Sequence, residues 1–159
     1  MKTRILSLAA TGALLILAPA ASAATYKFSV DLERADFKDG KAGKATFKVK
    51  TDKKGVATKV TSVKLSGLKS LCLSEDGVKP GPTLSGTLPG SITVKKPTGS
   101  FKRYSFQKSS LKISGYAFSV SGTVNKAGTK VSDFRIDGGD TNPQPPSCTA
   151  RGDGNPKKK

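Results

Sequence analysis

Beyond residue 24, apolar and polar side chains alternate with a period of two almost everywhere, and no stretch carries a convincing helical period. Successive side chains of an extended chain point to opposite faces, so this pattern buries one face of a strand and wets the other. Tyr26, Phe28, Val30 and Leu32 form one apolar row, with Lys27, Ser29, Asp31 and Glu33 between them. Ala45, Phe47 and Val49 repeat it against Lys44, Thr46, Lys48 and Lys50, and Tyr116, Phe118, Val120 and Val124 make the longest clean alternation. Shorter apolar runs lie at 71–73, 92–94, 101–106 and 111–113. Asp39-Gly40, Lys54-Gly55, Pro97-Thr98-Gly99 and residues 125–128 supply hairpin turn chemistry between the runs. The fold expected is all-β: an antiparallel β-sandwich, immunoglobulin-like or jelly-roll-like, without substantial helix.

Two runs change parity. In 56–65 the buried set switches between Val60 and Val63, and it switches again among Val131, Phe134 and Ile136. An extra residue in a β-bulge does this, because it swaps the face that later side chains occupy. Residues 74–90 hold Glu75, Asp76, three prolines and four glycines and read as an excursion of turns. Residues 138–147, with Pro143, Pro145 and Pro146, read as an extended, stiff connection.

The N-terminus orders a positive patch (Lys2, Arg4), an apolar stretch at 5–17, and Ala21-Ser22-Ala23 as a small-residue cleavage site. That is the layout of a secretory signal peptide over 1–23. It implies a secreted or cell-surface protein with one domain over 24–151 and a disordered basic tail at 152–159. Cys72 and Cys148 are the only cysteines, and in an exported chain they are expected to form a disulfide.

Residues 44–67 align with 115–138 without a gap, at an offset of 71 residues. Phe47 then meets Phe118, and Thr58-Lys59-Val60 meets Thr129-Lys130-Val131. Each stretch reads as two strands around a short polar loop, with a cysteine further on. The similarity has two readings: a shared lysine-rich composition, or two related hairpins whose trailing segments a disulfide joins.

The net charge is +17, from 28 basic and 11 acidic residues; Lys2 and Arg4 leave with the signal peptide, so +15 remains. Ten lysines fall between residues 38 and 69. Lysines alternating with apolar residues serve solubility and protect sheet edges. They equally form a face, Lys48, Lys50, Lys59 and Lys64, that attracts an anionic cell-wall polymer, polysaccharide or lipid surface. The absence of histidine removes the usual triads, imidazole metal sites and the commonest general base. A non-enzymatic binding protein without a cofactor is the expectation, and no specific nucleic-acid partner, since stacking aromatics between the basic residues are sparse. The alternative is a secreted hydrolase or lyase working through carboxylates, for which Glu33 and the aspartates are the candidates. Asp133, Asp137 and Asp140, with Asn142 beyond them, are a weak calcium candidate. Arg151-Gly152-Asp153 spells an adhesion tripeptide in the expected tail.

The order Tyr116, Phe118, Val120, Gly122, a short turn, a strand ending near Gly138, and a proline-containing loop leading to Cys148-Thr149-Ala150-Arg151 resembles the C-terminal half of small secreted bacterial β-sandwich proteins of unassigned function. The resemblance spans about 40 residues and implies the fold, with no activity attached. If the bridge forms, intact mass measured on the mature chain will be lower by two hydrogens than that of the dithiol. Replacing either cysteine by serine should then lower stability by about 2–5 kcal/mol, and free thiols in the purified protein would exclude the bridge.

Overall fold

A computed structural model of the chain describes residues 22–98, 102–141 and 146–159. Most of the signal segment, Gly99, Phe101, Asn142, Pro143 and Pro145 lie outside the described residues. The described chain contains strands and no helix. They are β1 (Thr25–Glu33), β2 (Lys41–Thr51), β3 (Ala57–Ser74), β4 (Gly77–Thr87), β5 (Ser91–Lys95), β6 (Tyr104–Ile113), β7 (Tyr116–Val124), β8 (Val131–Asp140), β9 (Ser147–Gly154) and β10 (Lys157–Lys158).

All ten belong to one antiparallel sheet in the order β10-β1-β2-β3-β5-β6-β7-β8-β9, with β4 added to β3. The path returns on itself, because β9 also pairs with β1 at Glu33↔Asp153 and with β3 at residues 71–73. Strand β3 makes this possible. Its first half pairs with β2 and β5, and its second half with β4 and β9. Gly67, at φ +62, lets the strand bend and continue, so the run at 71–73 is the far end of β3.

Alternation fills one interior. Phe28, Phe47, Phe106 and Phe134 are buried, and Phe47 stacks on Phe28 at 5.5 Å and on Phe134 at 4.8 Å. Strands β2 and β8 are not neighbours in the sheet, so the second contact crosses the interior. Burying such a side chain contributes about 1.5–3 kcal/mol. Both parity changes are bulges. Ser62 has φ 54 where the β2–β3 register slips between Thr46 and Lys48, and Asp133 has φ 53 where β7–β8 slips between Ser121 and Thr123.

These bulges show that the two hairpins are built alike, and they correct the gapless alignment. Val49↔Val60 in the first hairpin corresponds to Val124↔Val131 in the second. The second strands are therefore 71 residues apart (60 to 131), as aligned, and the first strands are 75 apart (49 to 124). Phe47 is equivalent to Gly122, not to Phe118. A Cβ on Gly122 would lie 2.6 Å from Phe106, so the interior position that Phe47 fills from β2 is taken by the Phe106 ring beside β7. A slip of four residues preserves the alternation, which is why the sequence pattern does not distinguish the two offsets.

Two expectations of irregular structure are overturned. The segment read as an excursion is strand β4, paired with β3 from Lys64↔Thr87 to Ser74↔Gly77. Its Pro80 and Pro82 are tolerated because, among the described residues, β4 pairs with no strand on its other edge, and missing N–H groups there discourage a further strand. The stretch read as a disordered tail from residue 152 is the end of β9 followed by β10, which pairs with β1 at Phe28↔Lys158 and Ser29↔Lys157. Cys148, Ala150 and Gly152 form its buried row, and small residues are needed there because Leu32 and Ala42 approach Gly152 closely.

Cys72 and Cys148 are direct cross-strand partners on β3 and β9 and form a disulfide. Its presence suggests an oxidising, extracytoplasmic environment. Among the described residues no helix is long and apolar enough to cross a membrane.

A left-handed backbone is tolerated by serine and strongly disfavoured by a β-branched residue. Ser62→Val is expected to lower the unfolding free energy by about 1–3 kcal/mol and Ser62→Gly to change it by under about 0.5 kcal/mol. Denaturant titration of both variants checks this, and equal effects would remove Ser62 from the bulge.

Candidate functional site

The lysine candidates lie on the outer face of β2 and β3. Lys50 faces Lys59 across β2–β3, and Lys48 faces Lys27 across β1–β2. Lys64 pairs with Thr46 on one side and Thr87 on the other. Lys50, Lys59 and Lys64 are exposed and Lys48 is half-buried. Among the described residues no carboxylate lies within ion-pair distance of these four or of Lys27. Like charges directly opposite on a sheet are destabilising, so the chain carries this arrangement against local stability. Around the lysines the face is polar and small, with Thr61, Ser91 and Thr93 on the adjoining strands. Lys27 was missed at the sequence level although it sits between Tyr26 and Phe28 in the same alternation. Lys157 and Lys159 join the neighbourhood through β10, where the Lys159 N–H donates to the Lys27 carbonyl at 3.0 Å.

The arginines and most of their acidic partners gather elsewhere. Where β1 and β9 meet, the 34–40 loop rises beside the outer face of β8 and β9 and walls a cleft of about 550 Å³. Backbone bonds tie the loop down: the Arg34 N–H donates to the Gly40 carbonyl and the Gly40 N–H to the Phe37 carbonyl. Arg34 is buried apart from 7 % of its side chain, and its Nε and Nη2 both reach Asp36 Oδ2 at 2.8 Å. Arg151 donates to the same oxygen at 3.2 Å. The Arg34 guanidinium lies 5.5 Å from the Phe37 ring centre and Lys69 Nζ 5.2 Å from it. Arg34 hydrogen bonding, followed by that of Arg151, holds the Asp36 carboxyl below its ordinary value of 3.8.

Across the cleft floor the pairing is Asp137↔Arg151 and Arg135↔Asp153, and Asp153 also faces Glu33. Glu33, Asp36, Asp137 and Asp153 therefore line the same cleft, the carboxylates on which a hydrolase would draw, without forming a cluster of three or more placed as metal ligands are. Asp36, kept ionised by two guanidiniums, is unsuited to donating a proton. No sequence motif announced this cleft; the only signal was that Arg34, Arg135 and Arg151 each stand beside or one residue from an acid.

The calcium candidates are not gathered into a site. Asp133, at the β8 bulge, accepts from Thr123 Oγ1 at 3.1 Å and lies 3.7 Å from Arg103, while Asp137 faces Arg151 and Asp140 faces Tyr116 at the end of β8. Among the described residues no group of three or more His, Cys, Asp or Glu side chains is placed to hold a metal ion. Arg151-Gly152-Asp153 is not in a free tail: it is part of β9, with Gly152 buried and both charged residues paired across to β8. No family model matches the chain, and neither a curated protein nor a solved structure matches it.

Asp36, Asp39 and Asp52 all titrate below the ordinary carboxylate value, Asp39 chiefly through its bond from Lys69 and Asp52 chiefly through the Val56 N–H. A depressed folded-state value stabilises the fold above the unfolded value and is lost as pH falls through the folded one. Thermal stability should therefore fall as pH drops from about 5 to about 2. Asp52→Asn, which keeps an oxygen acceptor for the Lys54 and Val56 N–H groups but removes the titrating charge, should flatten that slope, and an unchanged slope would exclude Asp52 as a contributor.

Proposed function

We propose that the mature chain, without residues 1–23, acts outside the cytoplasm as a non-enzymatic protein that binds anionic polymers through the lysine face of β1, β2 and β3. The observation that carries this reading is the pair of like-charged cross-strand contacts, Lys27↔Lys48 and Lys50↔Lys59, left without carboxylate partners. A surface built for solubility alone has no need to set like charges opposite each other, because interspersed acids would keep it soluble and more stable. Lysine is a solvated point charge, so a row of lysines suits a repeating anion better than a single planar group. Alternate positions on one strand stand about 6.6–6.8 Å apart, which lets successive lysines meet successive charges of a linear polymer. The same reading takes the closed sheet as a sandwich of two facing layers, supported by the stacking of Phe47 on Phe134 between unpaired strands.

The test is retention of the purified mature chain on immobilised polyphosphate and on a sulfated polysaccharide. Binding should weaken steeply between about 50 and about 200 mM salt as condensed counterions are released. The combined replacement of Lys48, Lys50, Lys59 and Lys64 by glutamine should reduce retention at low salt. It should also raise stability by a few tenths of a kcal/mol, roughly, through relief of the Lys50–Lys59 repulsion. Equal retention of parent and variant would leave the charge a solubility device.

A further inference from the structure

We propose, resting on the anion-binding reading of the lysine face, that the polymer it receives is a phosphodiester of a short polyol, with one phosphate for every six backbone bonds. The chain would lie obliquely across β1, β2, β3 and β5, where the register sets five lysines as a staircase. Lys27 stands opposite Lys48, and Lys50, two residues along β2 from Lys48, stands opposite Lys59. Lys95 lies two residues along β5 from Thr93, the partner of Lys59. Steps across a strand pair are about 4.5–5.5 Å, steps along a strand about 6.6–6.8 Å and diagonal steps about 7–8 Å. Lys27, Lys50, Lys59 and Lys95 are exposed and Lys48 is half-buried, and among the described residues none of the five lies within ion-pair distance of a carboxylate.

An extended chain covers about 3.3–3.6 Å for every three backbone bonds, so glycerol units joined through phosphate, six bonds per repeat, set their charges about 7 Å apart. That spacing falls within the range of the steps. A condensed polyphosphate, with two bonds per charge, falls short of every one of them. The positions beside the staircase carry hydroxyls: Thr25 is opposite Lys50, Thr93 opposite Lys59 and Ser105 opposite Lys95, and all three are exposed. A hydroxyl both donates and accepts, which suits the free hydroxyls of a polyol as well as phosphate oxygens. Single-stranded nucleic acid has the same six-bond repeat but draws affinity from bases stacked on aromatic rings. The exposed positions of β1, β2, β3 and β5 carry no aromatic residue, so the polyol is favoured.

The experiment is calorimetric titration of the mature chain at about 50 mM salt with soluble probes of five phosphates each: oligomers of glycerol phosphate, triethylene glycol phosphate and thymidylate, and linear pentaphosphate. The glycerol oligomer is expected to bind tightest. Pentaphosphate, too short between charges, and the triethylene glycol oligomer, with eleven bonds per repeat, should each be at least about tenfold weaker, because a linker that misses the span lowers the effective concentration at the next lysine. Lys95→Gln should lower the slope of log affinity against log salt for the glycerol oligomer by about one, as loss of a phosphate contact does. Lys112→Gln, an exposed change at the other end of β6, should leave that slope as it is. Equal affinity for the three linker lengths, or equal slopes for the two variants, would overturn the polyol phosphate and leave the face a general anion binder. Tighter binding of thymidylate than of the glycerol oligomer would overturn it in favour of single-stranded nucleic acid. No binding of any probe would remove the anion-binding reading together with it.

Discussion

Phe47 stands between Phe28 of its neighbouring strand and Phe134 of a strand across the interior, and Phe106 completes the group at 6.4 Å from both Phe47 and Phe134. These four rings fix the distance between the two sides of the closed sheet. The strands that enclose them present apolar rows, and where a ring already fills the space the facing residue must shrink, as Gly122 does beneath Phe106. An added carbon there would displace a ring that packs against two others, which a close-packed interior resists.

One closed interior leaves one outer surface, and the chain divides it by charge type. Lys27, Lys48, Lys50, Lys59 and Lys64 stand on β1, β2 and β3 with no carboxylate in ion-pair distance among the described residues, although Lys44 pairs with Asp31 and Lys69 with Asp39; Arg34, Arg103 and Arg151 each pair with an acid near β8, β9 and the 34–40 loop. The division follows from side-chain chemistry. A guanidinium can be buried beside a carboxylate in a fixed geometry, and an ammonium on a flexible stem stays hydrated. The two regions therefore differ in chemistry: hydrated single charges on the open face, and guanidiniums held by carboxylates around the cleft.

Closure at β9 depends on a strand that carries little apolar signal. Its inward row is Cys148, Ala150 and Gly152, held by the disulfide to β3 at one end and by Glu33↔Asp153 at the other. Small residues are what this position accepts, because β1 and the start of β2 lie against it. The composition that lets β9 fit is the same composition that makes it read as a tail. Strand β4 is similar, since the prolines that make it read as a loop are those a terminal strand of a sheet tolerates.

The sequence by itself determined the elements that depend on neighbours along the chain: the β class, the buried row of β1, β2 and β7, both bulges, the turns at Asp39-Gly40, Lys54-Gly55 and 125–128, and the cysteine pair, which had one possible connectivity; the tight β6–β7 turn at Ser114-Gly115 was not read. Lys48, Lys50, Lys59 and Lys64 were also legible, because alternation alone puts them opposite buried residues. Only the tertiary structure decided what rests on partners far away in sequence. The four-residue difference in register between the two hairpins preserves every inward and outward assignment, so it becomes visible only when Val124 is seen opposite Val131. The cleft is assembled from the β1–β2 loop and, far along the chain, β8 and β9, and its charges come together because the sheet closes there. Period-two alternation states which way a side chain points; it carries no information about which strand lies beside it.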